Sequence, residues 1–146
     1  MTNTAPEAPR IVVGIDGSPA SAAALDWAAH QAELTGATVE AVTTWKWPTS
    51  YGMAVPLPND YNPADDAGKV LEGAVAAVRS AHPGLTVTTV ATEGPAAPAL
   101  LEAATGATLL VIGTRGHGEL AGMLLGSVSE YCVAHAKCPV VVVRAP

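Results

Sequence analysis

The amino-acid sequence predicts an α/β fold: a single-domain, three-layer sandwich with a five-stranded parallel sheet between four helices. Three observations carry this expectation. Short, nearly unbroken apolar runs, such as Ile11-Val12-Val13 and Leu109-Leu110-Val111-Ile112, read as strands buried on both faces, the habit of parallel sheets. Between them lie segments with apolar residues at helical spacing, and strands alternating with helices build βαβ units. The chain has 146 residues, enough for one core, and no internal repeat divides it.

Residues 1–9, with Pro6 and Pro9, read as a flexible leader, and residues 10–146 as the domain. Arg10 to Ile15 is the first strand. Asp16-Gly17-Ser18-Pro19 then turns the chain, with Ser18 as N-cap and Pro19 at the first helical position. The first helix keeps Leu25, Ala28, Ala29 and Ala32 on one face and stops near Thr35-Gly36, and Thr38 to Thr44 forms the second strand. Trp45 to Pro63 breaks the rhythm, with four prolines and Trp45, Trp47, Tyr51 and Tyr61 among them. A loop of this length is a lid or interaction surface, or else a proline-stiffened crossing whose aromatics cover the core edge; both readings stay open. Ala64 to His82 is the second helix, carrying Val70, Leu71, Ala74, Val75 and Val78, and Pro83-Gly84 ends it. Leu85 to Ala91 is the third strand. A short helix follows around Leu100, Leu101 and Ala104, closed by Gly106. Thr108 to Ile112, a helix from Ser127 to Ala136, and a last strand from Pro139 to Arg144 complete the pattern.

Composition narrows the function. Phe is absent, and the apolar residues are dominated by Ala and Val, which lets helices lie close to the sheet. A formal charge of −6, with seven scattered Lys and Arg residues, argues against nucleic-acid binding, which requires a basic face. No apolar run approaches the roughly 18 residues that span a bilayer, and no signal-peptide core opens the chain, so a cytoplasmic protein without membrane contact is expected. Cys132 and Cys138 fit neither a zinc set nor a disulfide framework and read as inert, reduced, buried thiols. No His or carboxylate residues stand out at ligand spacing, so no protein metal centre is expected. His30, His82 and His135 read as surface or C-cap residues.

The stretch Ala107–Val128 carries the chemistry. A buried strand empties into Gly113, Gly116 and Gly118, and Gly126-Ser127 opens a helix. Glycines let backbone N–H groups converge, and a helix N-terminus adds roughly half a positive charge, so the layout suits an anion. The spacing is G-x2-G-x9-G-S. No Gly-Lys-Ser/Thr follows, which excludes a Walker A loop, and G-x-G-x-x-G is absent, which excludes the dinucleotide fingerprint. A phospho-receiver needs an acidic pair after the first strand and an Asp ending the third, and the chain has only Asp16. Gly113 and Gly116 allow close phosphate approach, while Gly126 and the N–H groups of Ser127 and Val128 add the helix end. Arg115 supplies charge, and Asp16 on the opposite lip suits a nucleoside. Ser127-Val128-Ser129-Glu130 is also a capping box, a role partly compatible with phosphate binding. His117 reads as a solvated loop histidine, with phosphate contact or proton transfer as the alternative roles. No Ser-His-Asp set or nucleophile elbow is present.

These residues resemble the ATP-binding branch of the universal stress protein family. Val12-Val13-Gly14-Ile15-Asp16-Gly17-Ser18 resembles its opening strand and turn. Gly113-Thr114-Arg115-Gly116 through Gly126-Ser127 matches its G-x2-G-x9-G-(S/T) motif, and His135-Ala136-Lys137-Cys138-Pro139 with the following valines resembles its ending. The resemblance implies an adenine nucleotide alpha hydrolase-like sheet of order 3-2-1-4-5. It also implies an ATP site in which Gly14, Ile15 and Asp16 hold the nucleoside and the Thr44 backbone meets adenine. Gly113, Thr114, Arg115, Gly116, His117, Gly118, Gly126, Ser127 and Val128 would hold ribose and phosphates, with Mg or Mn as possible companions of ATP. It further implies a homodimer through Val140–Val143. Thr43 departs from the pattern, standing where many relatives carry His. The function expected is a nucleotide-dependent regulator or sensor in the stress response, at most a slow ATPase, since no general base is evident. The alternatives are a nucleotide-free dimeric interaction module and a cyclic AMP binder using the same cleft.

Overall fold

The computed structural model describes residues 8–50, 52–54, 56, 58–114 and 125–146. Its elements in order are β1 (Arg10–Gly14), α1 (Pro19–Thr35), β2 (Thr38–Trp45), β3 (Thr49–Ser50), β4 (Met53–Ala54), α2 (Pro63–Ala81), β5 (Val87–Glu93), α3 (Ala96–Ala103), β6 (Leu109–Gly113), α4 (Ser127–His135) and β7 (Val140–Val143). The main sheet has the order β5-β2-β1-β6-β7, and every pairing in it is parallel. Counting its own strands alone, that order is 3-2-1-4-5, as the sequence resemblance implies. The strands β3 and β4 form a separate antiparallel hairpin inside the Trp45–Pro63 segment, for which the sequence reading left a lid or interaction surface and a proline-stiffened crossing both open.

Alternation along the strands divides the core into two layers. Ile11, Val13, Ile15, Val39 and Val111 pack with Leu25, Ala28, Leu71 and Val75 beneath α1 and α2. Val12, Val42, Leu110 and Ile112 pack with Leu100 and Cys132 beneath α3 and α4. On α1 the contact face is Ala24, Ala28, Ala29 and Ala32, so this helix sits close to the sheet. Burial raises the pKa of the Cys132 thiol through desolvation, which keeps it protonated and unreactive. Cys138, expected to be buried, is only partly so, because it lies in the turn before the edge strand β7.

The helix ends follow local chemistry. Ser18 accepts the Ser21 N–H at 3.1 Å, Pro19 occupies the first turn, and Gly36 closes α1 at φ 75°, a left-handed value at which a Cβ is strained. Asn62 caps α2 by accepting the Ala64 N–H at 3.0 Å, so the helix begins at Pro63, one residue before the sequence reading. The third sheet strand runs Val87–Glu93 rather than Leu85–Ala91. The Leu85 N–H is engaged in a turn with the His82 carbonyl, and ladder pairing with β2 persists to Trp45 opposite Glu93. At the opposite end of the sheet from the strand C-termini, Arg10 donates to the carbonyls of Ala103 and Thr105 at 2.7 and 2.8 Å, tying β1 to the end of α3.

Candidate functional site

In an open parallel sheet, ligands bind beyond the C-terminal strand ends, where the winding reverses. Here that point lies between β1 and β6, and a cleft of about 340 Å³ opens there. Its floor is Gly14, Ile15, Ile112 and Gly113 at the strand ends. Val42, Thr43, Thr44 and Trp45 of β2 form one wall, and Val128 and Ser129 of α4 another. Asp16 and Lys46 stand at the rim, with Pro63, Asp66, Ala67 and Val70 of α2 across from them.

Each feature has a local cause. The Ile15 N–H donates to the Val42 carbonyl at 2.8 Å, extending the β1–β2 pairing by one residue before the turn. Asp16 then folds the turn itself: its Oδ1 accepts the Ser18 N–H at 2.9 Å, and its own N–H donates to Ser21 Oγ at 3.4 Å. Gly17, at φ 82°, follows in the left-handed region. Glycine is required at 113 for packing, since a Cβ there would lie 2.6 Å from Ala20 Cβ and 2.9 Å from the Ala20 carbonyl carbon. The close approach at this position is therefore that of the first turn of α1. At Gly14 a Cβ would meet Leu100 Cδ1 at 3.0 Å, so this glycine makes room for α3.

Thr114 and Gly126 form a clasp. The Gly126 N–H donates to the Thr114 carbonyl at 2.7 Å, and the Thr114 N–H donates to the Val143 carbonyl at 2.9 Å. Ser129, buried on the inner side of α4, donates to the Gly113 carbonyl at 2.6 Å and lies 3.1 Å from that of Thr114. The N-cap of α4 is Gly126, a residue without a side chain to cap the helix. The capping box expected of Ser127 and Glu130 is thus not formed: Ser127 is already helical, one position too late to cap, and both side chains are exposed.

Of the residues singled out from sequence, Gly14, Ile15, Asp16, Thr44, Gly113 and Val128 line the cleft, and Thr114, Gly126 and Ser127 sit beside it. Arg115, Gly116, His117 and Gly118 lie outside the described residues, as does Tyr51. The cleft also takes in residues to which the sequence reading gave no binding role, Ser129 and Lys46 among them, and it includes Thr43, noted there only as a departure from the family pattern. Ser129 was legible in principle, since it lies three residues before buried Cys132 and shares its helix face. Lys46 follows the second strand directly and brings a cation to the rim, and Thr43 is buried at the cleft wall. The aromatic segment supplies wall as well as crossing: Trp45 lines the cleft and packs edge-to-face on Trp47, ring centroids 6.2 Å apart. No helix of the described residues is long and apolar enough to cross a membrane.

Comparison with known proteins gives a consistent result. The profile of the universal stress protein family matches residues 8–144. Universal stress protein Rv2623 of Mycobacterium tuberculosis is 37% identical over 143 residues, covering 92% of this chain and 47% of the relative. A universal stress protein of Mycolicibacterium smegmatis is 36% identical over 139 residues, with 92% and 47% covered. The chain spans about half the length of these curated relatives. Among solved structures, a universal stress protein in complex with cAMP superposes with TM-score 0.71 at 28% identity, covering 95% of this chain and 98% of that one. The universal stress protein from Archaeoglobus fulgidus in complex with dAMP has TM-score 0.65 at 22% identity over 94% and 98% of the two chains, a likeness of fold.

Proposed function

The chain belongs to the universal stress protein family, and from that premise we propose that it binds an adenine nucleotide, with ATP as ligand, and acts as a nucleotide-dependent regulator or sensor in the stress response. One observation carries the reading: a helix N-terminus without a side-chain cap and the turn around Asp16 face one cleft at the β1/β6 switch point. In this reading the N–H groups at Gly126, Ser127 and Val128 meet phosphate oxygens, where the α4 dipole favours negative charge. Residues 114–118 complete the phosphate cradle. Asp16 accepts from ribose hydroxyls, and the Thr44 backbone meets the base beside Thr43 and Val42. Lys46 at the rim offers a further cation. A divalent ion such as Mg or Mn would arrive with the triphosphate, held chiefly by phosphate oxygens.

Fast hydrolysis is not part of the proposal. It needs a positioned base and charge stabilisation, each lost donor costing about 2.7–4 kcal/mol of barrier. The carboxylates at the cleft rim are Asp16, whose Oδ1 is engaged in its own turn, and Asp66 on α2. The cAMP complex of a relative at 28% identity favours one second reading, a cyclic nucleotide in the same cleft. We also propose that the outer edge of β7, which among the described residues pairs with β6 alone, joins a second copy.

A thermal-melt series with ATP, ADP, cAMP and GTP distinguishes these readings. Ligand at one hundred times its Kd stabilises the fold by about 2.7 kcal/mol. The expected result is a rise in Tm with ATP that is lost in Gly116→Val. No rise with any nucleotide removes the proposal, and a rise with cAMP alone transfers it to the cyclic ligand. Sedimentation velocity on the same samples tests the dimer, which a monomer at micromolar concentration rules out.

A further inference from the structure

Away from the cleft, at the surface where the middle of α1 meets the end of α2, four side chains with metal-type donor atoms meet. Asp26 and His30 stand one turn apart on α1, Glu33 follows, and His82 caps the end of α2. One donor atom each of Asp26, His30 and His82 lie within 4.8 Å of one another. The two imidazoles meet edge-to-face with centroids 5.0 Å apart. The cluster is closed on one side and open on the other, since the His82 side chain is 8% exposed while those of His30 and Asp26 are 64% and 67% exposed.

The hydrogen bonds behind the cluster orient its rings. His82 Nδ1 pairs with Glu33 Oε1, and His30 Nδ1 lies 2.9 Å from the Asp26 carbonyl oxygen. A carbonyl and a carboxylate accept and cannot donate, so the ring hydrogen sits on Nδ1 in each case. With the hydrogen on Nδ1, Nε2 is the ring atom each histidine can offer to a cation. A carboxylate or carbonyl behind each ligating histidine is the usual support of a protein metal site, fixing the tautomer and raising ligand basicity.

We propose that Asp26, His30 and His82 form a site for a divalent transition-metal cation of the zinc type, with Glu33 as the positioning residue for His82. Two imidazoles and one carboxylate suit such a cation and leave a fourth position for water, whereas Mg and Ca prefer oxygen throughout. Tetrahedral bonds of about 2.0–2.1 Å set ligand atoms about 3.4 Å apart, so the cluster must tighten from 4.8 Å. The exposed side chains of Asp26 and His30 can turn to do so while His82 stays fixed. A bound ion would clamp the middle of α1 to the end of α2. It would act apart from the nucleotide cleft, since Asp26 lies about 10 Å along the helix from Pro19.

Calorimetry on the chelator-treated full chain with zinc chloride, followed by thermal melts, tests this. We expect one zinc per chain, a Tm raised by zinc, and affinity reduced at least tenfold in His30→Gln, a substitution on an exposed side chain that leaves the core intact. Glu33→Gln should weaken zinc by about 10–100-fold through the orientation of His82, and Cys138→Ser should bind as wild type. Absence of stoichiometric zinc binding, or wild-type affinity in His30→Gln, overturns the assignment. His82→Ala is not the deciding variant, because His82 is also the buried cap of α2.

Discussion

Replacing Gly113 by alanine sets one methyl group against the first turn of α1. The added Cβ would stand 2.6 Å from Ala20 Cβ, 2.9 Å from the Ala20 carbonyl carbon and 3.2 Å from its oxygen. Carbon atoms in contact prefer about 3.5–4.0 Å, so something must move by about an ångström. Backbone cannot yield as a side-chain tip does, and this backbone is held by the Ser18 cap and by Pro19. Overpacking of this kind costs about 1–3 kcal/mol. For a chain of this length each kcal/mol lowers Tm by about 2–4 °C, giving a fall of about 2–12 °C. Urea unfolding reads the same loss as a lower midpoint with an unchanged m-value. Gly14→Ala is the internal comparison: its Cβ would meet the rotatable end of Leu100 at 3.0 Å, so the expected cost is smaller. A Gly113→Ala protein within about 0.5 kcal/mol of wild type, the range of a neutral surface change, refutes the packing account. So does a Gly14→Ala protein that loses more.

Ser129→Ala removes the hydroxyl that holds α4 to the end of β6, leaving the Gly113 carbonyl without its 2.6 Å donor; the expected loss is about 1–3 kcal/mol by chemical denaturation, with weaker ATP binding in the melt series. Timed alkylation of the native protein should modify Cys138 well before Cys132, whose thiol is buried and raised in pKa by desolvation; equal rates, read by mass spectrometry of the peptides, would contradict the burial described.

Sequence and structure agree most closely where one physical signal dominates. Unbroken apolar runs marked β1 and β6, and Ser18-Pro19 with Gly36 bracketed α1, because a side-chain cap and a left-handed glycine are local chemistry. The strand order came from resemblance, since an apolar run does not say which neighbour it pairs with. Local reasoning erred where two patterns overlapped. Ser127–Glu130 has the spacing of a capping box, but the extended residue that precedes α4 is Gly126, which shifts the helix register by one. Leu85 is apolar because it packs on the core from a turn, not because it is in a strand. Thr92 and Glu93 are polar yet remain paired because β2 continues opposite them. Asp26 and His30 were one turn apart in plain view, but His82 joins them only through tertiary packing. Ser129 needed the same three-dimensional context, since its value lies in reaching the carbonyls of β6.

The clasp between Thr114 and Gly126 has a consequence for how the segment between them can vary in sequence. With β7 holding Thr114 and Ser129 holding the carbonyls just before the loop, both ends of residues 115–125 are returned to one point by the scaffold. The entropy of closing a loop grows only with the logarithm of its length, about 0.6 kcal/mol for each doubling. Residues inside the clasp can therefore change in number and kind at little expense to folding, while the sheet end and the α4 N-terminus keep their positions. In the proposed nucleotide-binding role, a single scaffold can in this way be retuned for different phosphate lengths, with selection acting on the enclosed sequence and stability resting on the two ends that hold it.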